Sequence, residues 1–157
     1  AQESRGLGDV YKRQGLQARK LGVRVNTSIE PGLAPALCDR TMVEQVLLNL
    51  ARNAMQAMDD PGVRNRVLDI RVRRAASNPH NGWIEFAVTD VGTGIPPEVA
   101  EKLFTPFFTT RPEGMGLGLS MCRTVIEQHG GFLGFAPNEP RGTVFTFTLP
   151  VNNGATS

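Results

Sequence analysis

The chain has 157 residues, 40% of them hydrophobic and 20% charged, and this size and composition fit one globular domain with a single core. Its 17 basic and 15 acidic residues are interspersed and leave a net charge of +2, so no basic nucleic-acid arm is indicated and the charge pattern names no partner. No run of residues is long and apolar enough for a membrane span or a secretion signal, so we expect a cytoplasmic domain without membrane contact, whose parent protein is free to carry a membrane anchor elsewhere.

The two ends of the chain do not look like part of this domain. Residues 1–14 mix Gly, Arg, Gln and Asp with few apolar residues and no clear period, and we exclude them from the fold as a non-native or disordered segment. The polar residues 152–157 are expected to form a disordered tail. We therefore assign residues 15–151 to the domain.

A strand and a long helix are the first elements that the sequence predicts. Residues 22–29 alternate apolar and polar side chains as a half-buried strand does. Residues 40–58 contain neither Gly nor Pro, and their apolar side chains recur at helical spacing. Asp39 is the predicted N-cap of this helix, and Glu44 is placed in a first turn that suits the helix dipole.

Four amide side chains border the apolar face of this helix, namely Gln45, Asn49, Asn53 and Gln56. Because amides are costly to bury without partners, the stripe should face water, a ligand or a hydrated metal ion. A solvated shoulder of the helix explains the same pattern, so the helix alone does not decide between the two.

The rest of the chain predicts further strands and two shorter helices. We expect a hairpin of strands at residues 67–73 and 83–89, and a short helix that opens at Pro96 and Pro97 and runs to about Phe104. A further helix is expected at residues 119–128, ending at Gly130-Gly131, and closing strands at residues 132–135 and 143–149. This order suggests helices on one face of a mixed sheet, in an α/β two-layer sandwich.

The second candidate motif is Asp-x-Gly-x-Gly at residues 90–94, directly after a predicted strand. It provides one fixed acceptor beside glycine backbone that a flat ring can approach closely. That acceptor suits the amino group of adenine and discriminates against guanine, which presents a carbonyl there. The same pattern is also a common turn.

The third motif places a glycine at every second position of residues 114–118 and leads into a helix whose free N–H groups suit a phosphate. Leu119-Ser120 stand where a Walker A loop needs a Lys followed by Ser or Thr, which disfavours a P-loop fold. No strand leads directly into the motif, which argues against a Rossmann site. Three phenylalanines in residues 103–111, before the motif, either pack in the core or anchor a mobile lid.

Taken together and in this order, the motifs resemble the catalytic domain of histidine kinases. The corresponding segments are the N box at residues 49–58, the G1 box at 90–94, the F box at 103–110, the G2 box at 114–118 and the closing strand at 142–150. The resemblance covers about residues 16–151. The amino-acid sequences of the boxes most resemble those of sensor kinases of the nitrogen-regulatory and oxygen-sensing type.

The resemblance implies a Bergerat ATP-binding fold, with helices on one face of a mixed, mainly antiparallel sheet, that binds ATP and Mg²⁺ under a flexible lid. Asn53 is then the Mg²⁺ ligand, and Asn49 holds phosphate or metal-bound water. Asp90 binds the adenine amino group, and Thr143 assists through water. Arg111 touches the γ-phosphate or the acceptor helix, or is a solvated lid charge.

The resemblance implies further ATP contacts, two sets of glycines among them. Glycines 92 and 94 admit the base, and glycines 114, 116 and 118 wrap the phosphates. The full set of these further contacts is Gln56, Gly92, Gly94, Ile95, Thr109, Thr110, Gly114, Met115, Gly116, Leu117, Gly118 and Leu119.

Four residues with nucleophilic or metal-binding side chains are assigned no such chemistry. His80 lies in a predicted loop, and His129 is placed at a helix C-terminus, where it complements the dipole. Neither is followed by the acidic residue and helical pattern that flank a phosphoacceptor histidine in this family. Cys38 and Cys122 lie far apart without a second ligand pair, so we expect ordinary part-buried thiols.

The resemblance therefore implies an enzyme, a protein histidine kinase. It would transfer the ATP γ-phosphoryl group to a histidine on a dimerisation domain of the same kinase that is absent from this chain, for onward transfer to a response regulator receiver domain. Related ATPases carry a Glu where Asn49 stands, and because an amide cannot accept a proton, we expect very slow ATP hydrolysis by the isolated domain. A non-catalytic nucleotide-sensing module and a structural interaction domain with vestigial boxes are the alternatives.

Overall fold

The computed structural model describes residues 18–33, 36, 38–75, 82–105 and 118–151. These residues form a five-stranded sheet in the order β1-β2-β3-β5-β4, in which β1 and β2 are parallel and all other neighbours are antiparallel. The strands are β1 Arg24–Ile29, β2 Val67–Arg74, β3 Trp83–Thr89, β4 Leu133–Pro137 and β5 Thr143–Pro150, and the helices are α1 Arg40–Met58, α2 Pro97–Ala100 and α3 Gly118–Gln128. The expected mixed, mainly antiparallel sheet and the β2–β3 hairpin are confirmed.

One face of the sheet is buried, because every second side chain of the central strands points to the same side. Helices α1 and α3 pack against the sheet and against each other, and they close a single core. Phe86 and Phe147 are cross-strand partners whose rings stack with centroids 4.7 Å apart, and Phe147 is fully buried. Burying a side chain of this size contributes about 1.5–3 kcal/mol to the stability of the fold.

Helix α1 begins where the sequence predicts, but the position of one acidic residue differs. The Asp39 carboxylate accepts a hydrogen bond from the Met42 N–H at 3.1 Å and caps the helix. The expectation that Glu44 lies in the first turn is wrong, because it is the fifth residue of the helix and the first turn contains no acidic side chain. The Glu44 side chain is instead 11% exposed and pairs with Arg40 one turn earlier, at 2.8 Å.

The short helix α2 ends at Ala100, four residues before the predicted end. Beyond it the chain continues as turns whose N–H groups bond three residues back, as Lys102 does to Val99 at 3.0 Å and Thr105 to Lys102 at 2.9 Å. This tighter winding interrupts the helix while Leu103 and Phe104 pack against the core. The apolar residues that suggested a longer helix therefore pack from turns.

Helix α3 stops at the predicted glycines. Gly130 has φ of +82°, which favours glycine, and a Cβ on Gly131 would lie 1.8 Å from the Thr148 carbonyl oxygen of β5. His129 lies next to this helix end, and its Nδ1 is 2.7 Å from the Val125 carbonyl oxygen. The imidazole thus satisfies a carbonyl of the last turn, as a residue that complements the dipole does.

Some predicted boundaries concern parts of the chain that lie outside the described residues. This holds for residues 1–14 and 152–157, whose exclusion from the domain stays a prediction. Among the described residues, no helix combines the length and the apolar character that crossing a membrane requires.

Candidate functional site

The Asp90 carboxylate is the buried charged group of the site. Asp90 directly follows β3 and is 2% exposed. Its Oδ1 accepts hydrogen bonds from the Gly92 N–H at 2.8 Å and from the Thr143 N–H at 3.3 Å. Burial raises the pKa of the carboxyl above its ordinary value, and these two bonds oppose part of the rise. Among the residues that the structure describes, Oδ2 accepts no hydrogen bond, so it is the oxygen that remains for a ligand.

The loop after Asp90 rests on the last turn of α1. A Cβ on Gly92 would lie 2.5 Å from the Ala57 carbonyl oxygen, and the Thr93 N–H donates to the same oxygen at 3.4 Å. Gly94 has φ of +83°. The missing side chain of Gly92 thus makes room for the last turn of α1, and the expectation that this glycine admits a base stays a prediction.

A second turn packs on the Asp90 loop, and the sequence did not mark its residues as part of the site. The Asn138 side-chain N–H donates to the Asp90 carbonyl oxygen at 3.1 Å, and the Arg141 Nε–H donates to the Gly92 carbonyl oxygen at 3.1 Å. Gly142 has φ of +103°, and a Cβ there would lie 2.0 Å from the Asp90 carbonyl oxygen. The available signal was the Asn-x-Pro-x-Gly turn at residues 138–142, which predicts a turn but not its partner.

The amide stripe of α1 changes from exposed to half-buried along the helix. Gln45 is exposed, whereas Asn49, Asn53 and Gln56 are half-buried. The Asn49 side chain hydrogen-bonds the Cys122 thiol of α3. Burial raises the pKa of that thiol to about 11, and the bond from Asn49 opposes part of the rise. Gln45 is therefore a solvated shoulder of α1, whereas Asn49 faces α3 at Cys122.

Two contacts show that α1 and α3 run antiparallel. The Asp39 N–H before α1 donates to His129 Nε2 after α3 at 2.9 Å, and Asn49 meets Cys122 ten residues further along α1. Asn53 follows Asn49 by four residues on α1, and Gly118 precedes Cys122 by four residues on α3. With a rise of 1.5 Å per residue, each lies about 6 Å from the pair along its own helix axis, so the N-terminus of α3 is about level with Asn53.

The start of α3 is open, and its flank is packed. Gly118 is exposed and a Cβ there would meet none of the described residues within 4 Å, whereas Leu119 is half-buried against the core. Phe104 packs on Phe135 with ring centroids 5.9 Å apart, and the Arg123 guanidinium carbon lies 3.6 Å from the Phe104 ring centroid. One phenylalanine of the predicted lid segment is thus a core contact that α3 covers.

Several expected site residues lie outside the described part of the chain, so the structure does not place them. They are Thr109, Thr110, Arg111, Gly114, Met115, Gly116 and Leu117. Of the described candidates, Asp90, Gly92, Gly94 and Thr143 come together around one loop. Asn49, Asn53 and Gln56 lie on the neighbouring helix α1, Gly118 and Leu119 begin α3, and Ile95 follows the loop.

This arrangement can bind an elongated ligand that carries a hydrogen-bond donor at one end and negative charge at the other. The Asp90 loop touches α1 at Ala57, and Asn53 lies one turn earlier on α1, about level with the N-terminus of α3 along the helix axes. Helix N-termini favour anions because their N–H groups are unpaired and the dipole is positive there. A buried carboxylate acceptor favours a neutral donor such as a ring amino group.

Comparison with known proteins identifies one family. The model described as "Histidine kinase-, DNA gyrase B-, and HSP90-like ATPase" matches residues 38–153. The C4-dicarboxylate transport sensor protein DctS of Rhodobacter capsulatus is 41% identical over 134 residues, which cover 85% of this chain and 20% of that protein. Sensor protein FixL of Bradyrhizobium diazoefficiens is 41% identical over 133 residues, which cover 85% of this chain and 25% of that protein. The chain thus spans only a fifth to a quarter of these relatives.

Solved structures agree with the sequence relatives. The catalytic domain of histidine kinase ThkA superposes with a TM-score of 0.79 at 32% identity, covering 94% of this chain and 93% of that chain. ThkA in complex with the response regulator protein TrrA superposes with a TM-score of 0.76 at 31% identity, covering 97% of this chain and 41% of that chain. This likeness confirms the expected Bergerat fold.

The comparisons do not choose a sensor subtype. DctS and FixL carry different sensor names and match this chain at the same identity, so the nitrogen-regulatory and oxygen-sensing subtype stays a prediction. The family itself follows from the extent of the matched model and from the relatives taken together. The chain belongs to the histidine kinase-, DNA gyrase B- and HSP90-like ATPases, and within them to the ATP-binding catalytic domains of bacterial sensor histidine kinases.

Proposed function

We propose that this chain binds ATP with Mg²⁺ and transfers the γ-phosphoryl group to a histidine on a dimerisation domain outside these residues, from which a response regulator receiver domain takes it. The observation that carries the proposal is the order of groups along α1. A buried carboxylate stands at the Ala57 end, and half-buried amides and the N-terminus of α3 follow. This order matches a nucleotide with an amino-bearing base at one end and phosphates at the other.

At the end of the site near Ala57, which we call the base end, the Asp90 carboxylate is proposed to accept a hydrogen bond from the adenine amino group. Two N–H donors already occupy Oδ1, so Oδ2 accepts from the amino group, and Thr143 assists through a water molecule. A guanine presents a carbonyl at the same place, which leaves two acceptors facing each other without a proton, so ATP is preferred over GTP. Gly94 admits the base, and the half-buried Ile95 supplies apolar contact.

At the phosphate end, Asn53 is proposed to ligate Mg²⁺ and Asn49 to hold phosphate or metal-bound water, with Gln56 beside them. An amide oxygen suits this ion, which prefers oxygen ligands and is usually held by one or two protein groups together with substrate phosphates. The described residues include no cluster of three His, Cys, Asp or Glu side chains, which fits an ion held mainly by phosphates and water. When bound, the ion would neutralise charge that develops on the transferred group.

The N–H groups at the start of α3, at Gly118 and Leu119, are proposed to bind phosphate oxygens. By resemblance, glycines 114 and 116 wrap the phosphates as well, and Arg111 touches the γ-phosphate or the acceptor helix. The lid contacts assigned in the same way are Thr109, Thr110, Met115 and Leu117.

The described part of the site supplies no general base at its phosphate end. Residue 49 is an amide, which cannot accept a proton, and the carboxylate of Asp90 lies at the base end. The nucleophile must therefore come from outside, as the imidazole of the acceptor histidine does. Without that acceptor, we expect the domain to hold ATP and hydrolyse it very slowly.

The partners and the compartment are part of the same proposal. The solved complex of ThkA with TrrA supports a response regulator as the downstream partner. The relatives are four to five times longer than the matched segment, which leaves room in them for the dimerisation domain. A cytoplasmic position is proposed because ATP and response regulators are found there, and nothing in the site calls for nucleic acid or membrane contact.

Transfer of label from γ-labelled ATP to an added dimerisation domain of the parent kinase tests this function. We expect labelling by the wild type, and loss of its Mg²⁺ dependence and rate in Asn53→Ala. Gln45→Ala is the matched control, because Gln45 is the exposed member of the same stripe and should label at the wild-type rate. Tight ATP binding without any labelled acceptor would contradict the kinase function and favour a nucleotide-sensing module.

A further inference from the structure

The turn between β4 and β5 bonds to the backbone of the Asp90 loop, which is 48 and 49 residues away in sequence. Asn138 donates to the Asp90 carbonyl oxygen and to the Arg141 carbonyl oxygen, at 3.1 and 3.0 Å. Arg141 donates from Nε to the Gly92 carbonyl oxygen at 3.1 Å. The Asn138 backbone N–H donates to the Gly142 carbonyl oxygen at 3.0 Å and closes the turn. The turn is thus tied to itself and to the loop.

These bonds fall on successive peptide groups around the proposed ligand-binding carboxylate. The Asp90 carbonyl belongs to the peptide before Val91, and the Gly92 carbonyl belongs to the peptide before Thr93. The peptide between them carries the Gly92 N–H, which donates to Asp90 Oδ1 at 2.8 Å. Three consecutive peptides are therefore held in orientation, two by the turn and one by the carboxylate itself.

There is no spare room between turn and loop. A Cβ on Gly142 would lie 2.0 Å from the Asp90 carbonyl oxygen and 2.8 Å from the Val91 Cα, so the two segments are in direct contact. Asn138 is half-buried in this contact, whereas Arg141 is exposed and reaches the loop with its guanidinium. A loop that is both packed and hydrogen-bonded cannot reorient its carboxylate without breaking these bonds.

We infer that Asn138 and Arg141 are positioning residues for base recognition, which hold the peptides of the Asp90 loop so that the carboxylate faces the amino group of the nucleotide base. The inference rests on the proposed function, since it concerns the acceptor assigned to adenine. The two residues touch backbone and act through Asp90. Discrimination between bases depends on the direction of an acceptor, so loosening the loop should reduce discrimination more than it reduces nucleotide binding as a whole.

Inosine triphosphate is the probe, because it differs from ATP in carrying a carbonyl where the amino group stands. The dissociation constant for inosine triphosphate divided by that for ATP measures base discrimination. If a variant is partly unfolded, its affinities for the two triphosphates fall by the same factor. Removing the Arg141 charge also weakens the binding of both triphosphates equally, because they carry the same charge. Neither effect changes the ratio of the dissociation constants. We expect Asn138→Ala and Arg141→Ala each to lower the ratio by about threefold to tenfold, the effect of one modest hydrogen bond.

Glu139→Ala is the matched control within the same turn. Glu139 is exposed, and none of the contacts recorded among the described residues involves its side chain. It should keep the wild-type ratio. Asn138→Ala and Arg141→Ala variants that retain the wild-type ratio, while Asp90→Asn loses it, would overturn the inference and leave the proposed function intact. A wild type that binds both triphosphates equally would overturn the adenine site and the inference together.

Discussion

The Asp39 backbone N–H donates to Nε2 of His129 across 2.9 Å and joins the start of α1 to the end of α3. Because Nε2 accepts this proton, the neutral ring carries its own proton on Nδ1, which donates to the Val125 carbonyl oxygen at 2.7 Å. One imidazole therefore bridges two helices, and with the Asn49–Cys122 contact it sets their antiparallel alignment. That alignment places the N-terminus of α3 about level with Asn53 along the helix axes.

Replacing His129 by Ala should destabilise the domain by about 1–2 kcal/mol, because one exposed and one part-buried hydrogen bond are lost. The free energy of unfolding in urea measures this. Gln128→Ala is the control, since Gln128 is the exposed neighbour at the end of α3. Equal stability of the two variants would show that the bridge contributes nothing.

Asp90→Asn should make the nucleotide-free domain more stable at neutral pH. Burial raises the pKa of this carboxyl in the folded state, so the folded protein binds the proton more tightly than the unfolded chain does. The stability linked to Asp90 is thus present below its ordinary pKa of 3.8 and is lost as the pH rises through the folded value. Asn carries no charge and keeps an oxygen for the N–H groups of Gly92 and Thr143.

Urea unfolding of wild type and Asp90→Asn across a pH series checks the sign. The advantage of the variant should shrink as the pH falls through the folded pKa of Asp90. Added ATP and Mg²⁺ should reverse the order at neutral pH, because the wild type then gains more binding energy than the variant does. A wild type that is the more stable form without nucleotide at neutral pH would contradict the raised pKa.

Cys122 should be nearly inert to thiol reagents in the folded protein. Its side chain is 1% exposed, and burial raises its pKa to about 11 from 9.0, which lowers the thiolate fraction about 100-fold. Cys38 is half-buried. Modification kinetics of Cys38→Ser and Cys122→Ser separate the two thiols. We expect the thiol of Cys38→Ser to react at the rate of unfolding, and fast reaction in native conditions would contradict this burial.

Two glycine substitutions should separate folding from binding. Gly142→Ala places a Cβ at 2.0 Å from the Asp90 carbonyl oxygen at φ of +103°, so it should destabilise the domain by at least about 2 kcal/mol. Gly118→Ala adds a Cβ with no neighbour within 4 Å in the described part of the chain, so it should leave stability unchanged, yet weaken ATP binding if phosphates approach there. Thermal unfolding and ATP titration of both variants measure this, and an unchanged melting temperature in Gly142→Ala would contradict the contact.

Local patterns in the sequence predicted most of the fold. The apolar spacing of residues 40–58 and the Asp39 cap fixed α1, and alternation fixed the strands, because both signals lie within one element. The end of α2 was missed because Leu103 and Phe104 are apolar in turns as they would be in a helix. Periodicity reports burial, and burial does not require a continuous helix.

Such local patterns do not predict the long-range contacts of the site. The motif at residues 90–94 marked Asp90, but Asn138 and Arg141 bond to it from a turn whose sequence specifies only a turn. The contact between Gly92 and Ala57 of α1 could not be predicted either, because the spacing of residues within one element does not indicate which helix end packs on which loop. These contacts follow from the topology, in which β5 lies beside β3.

Calorimetric titration of the wild type and Asp90→Asn with ATP and with inosine triphosphate, in the presence of Mg²⁺, tests the central claim most directly. We predict that the wild type binds ATP more tightly than inosine triphosphate and that Asp90→Asn loses this preference while remaining folded. A wild type that binds neither triphosphate, or an Asp90→Asn variant that keeps the full preference, would contradict the assignment of Asp90 as the group that reads the base.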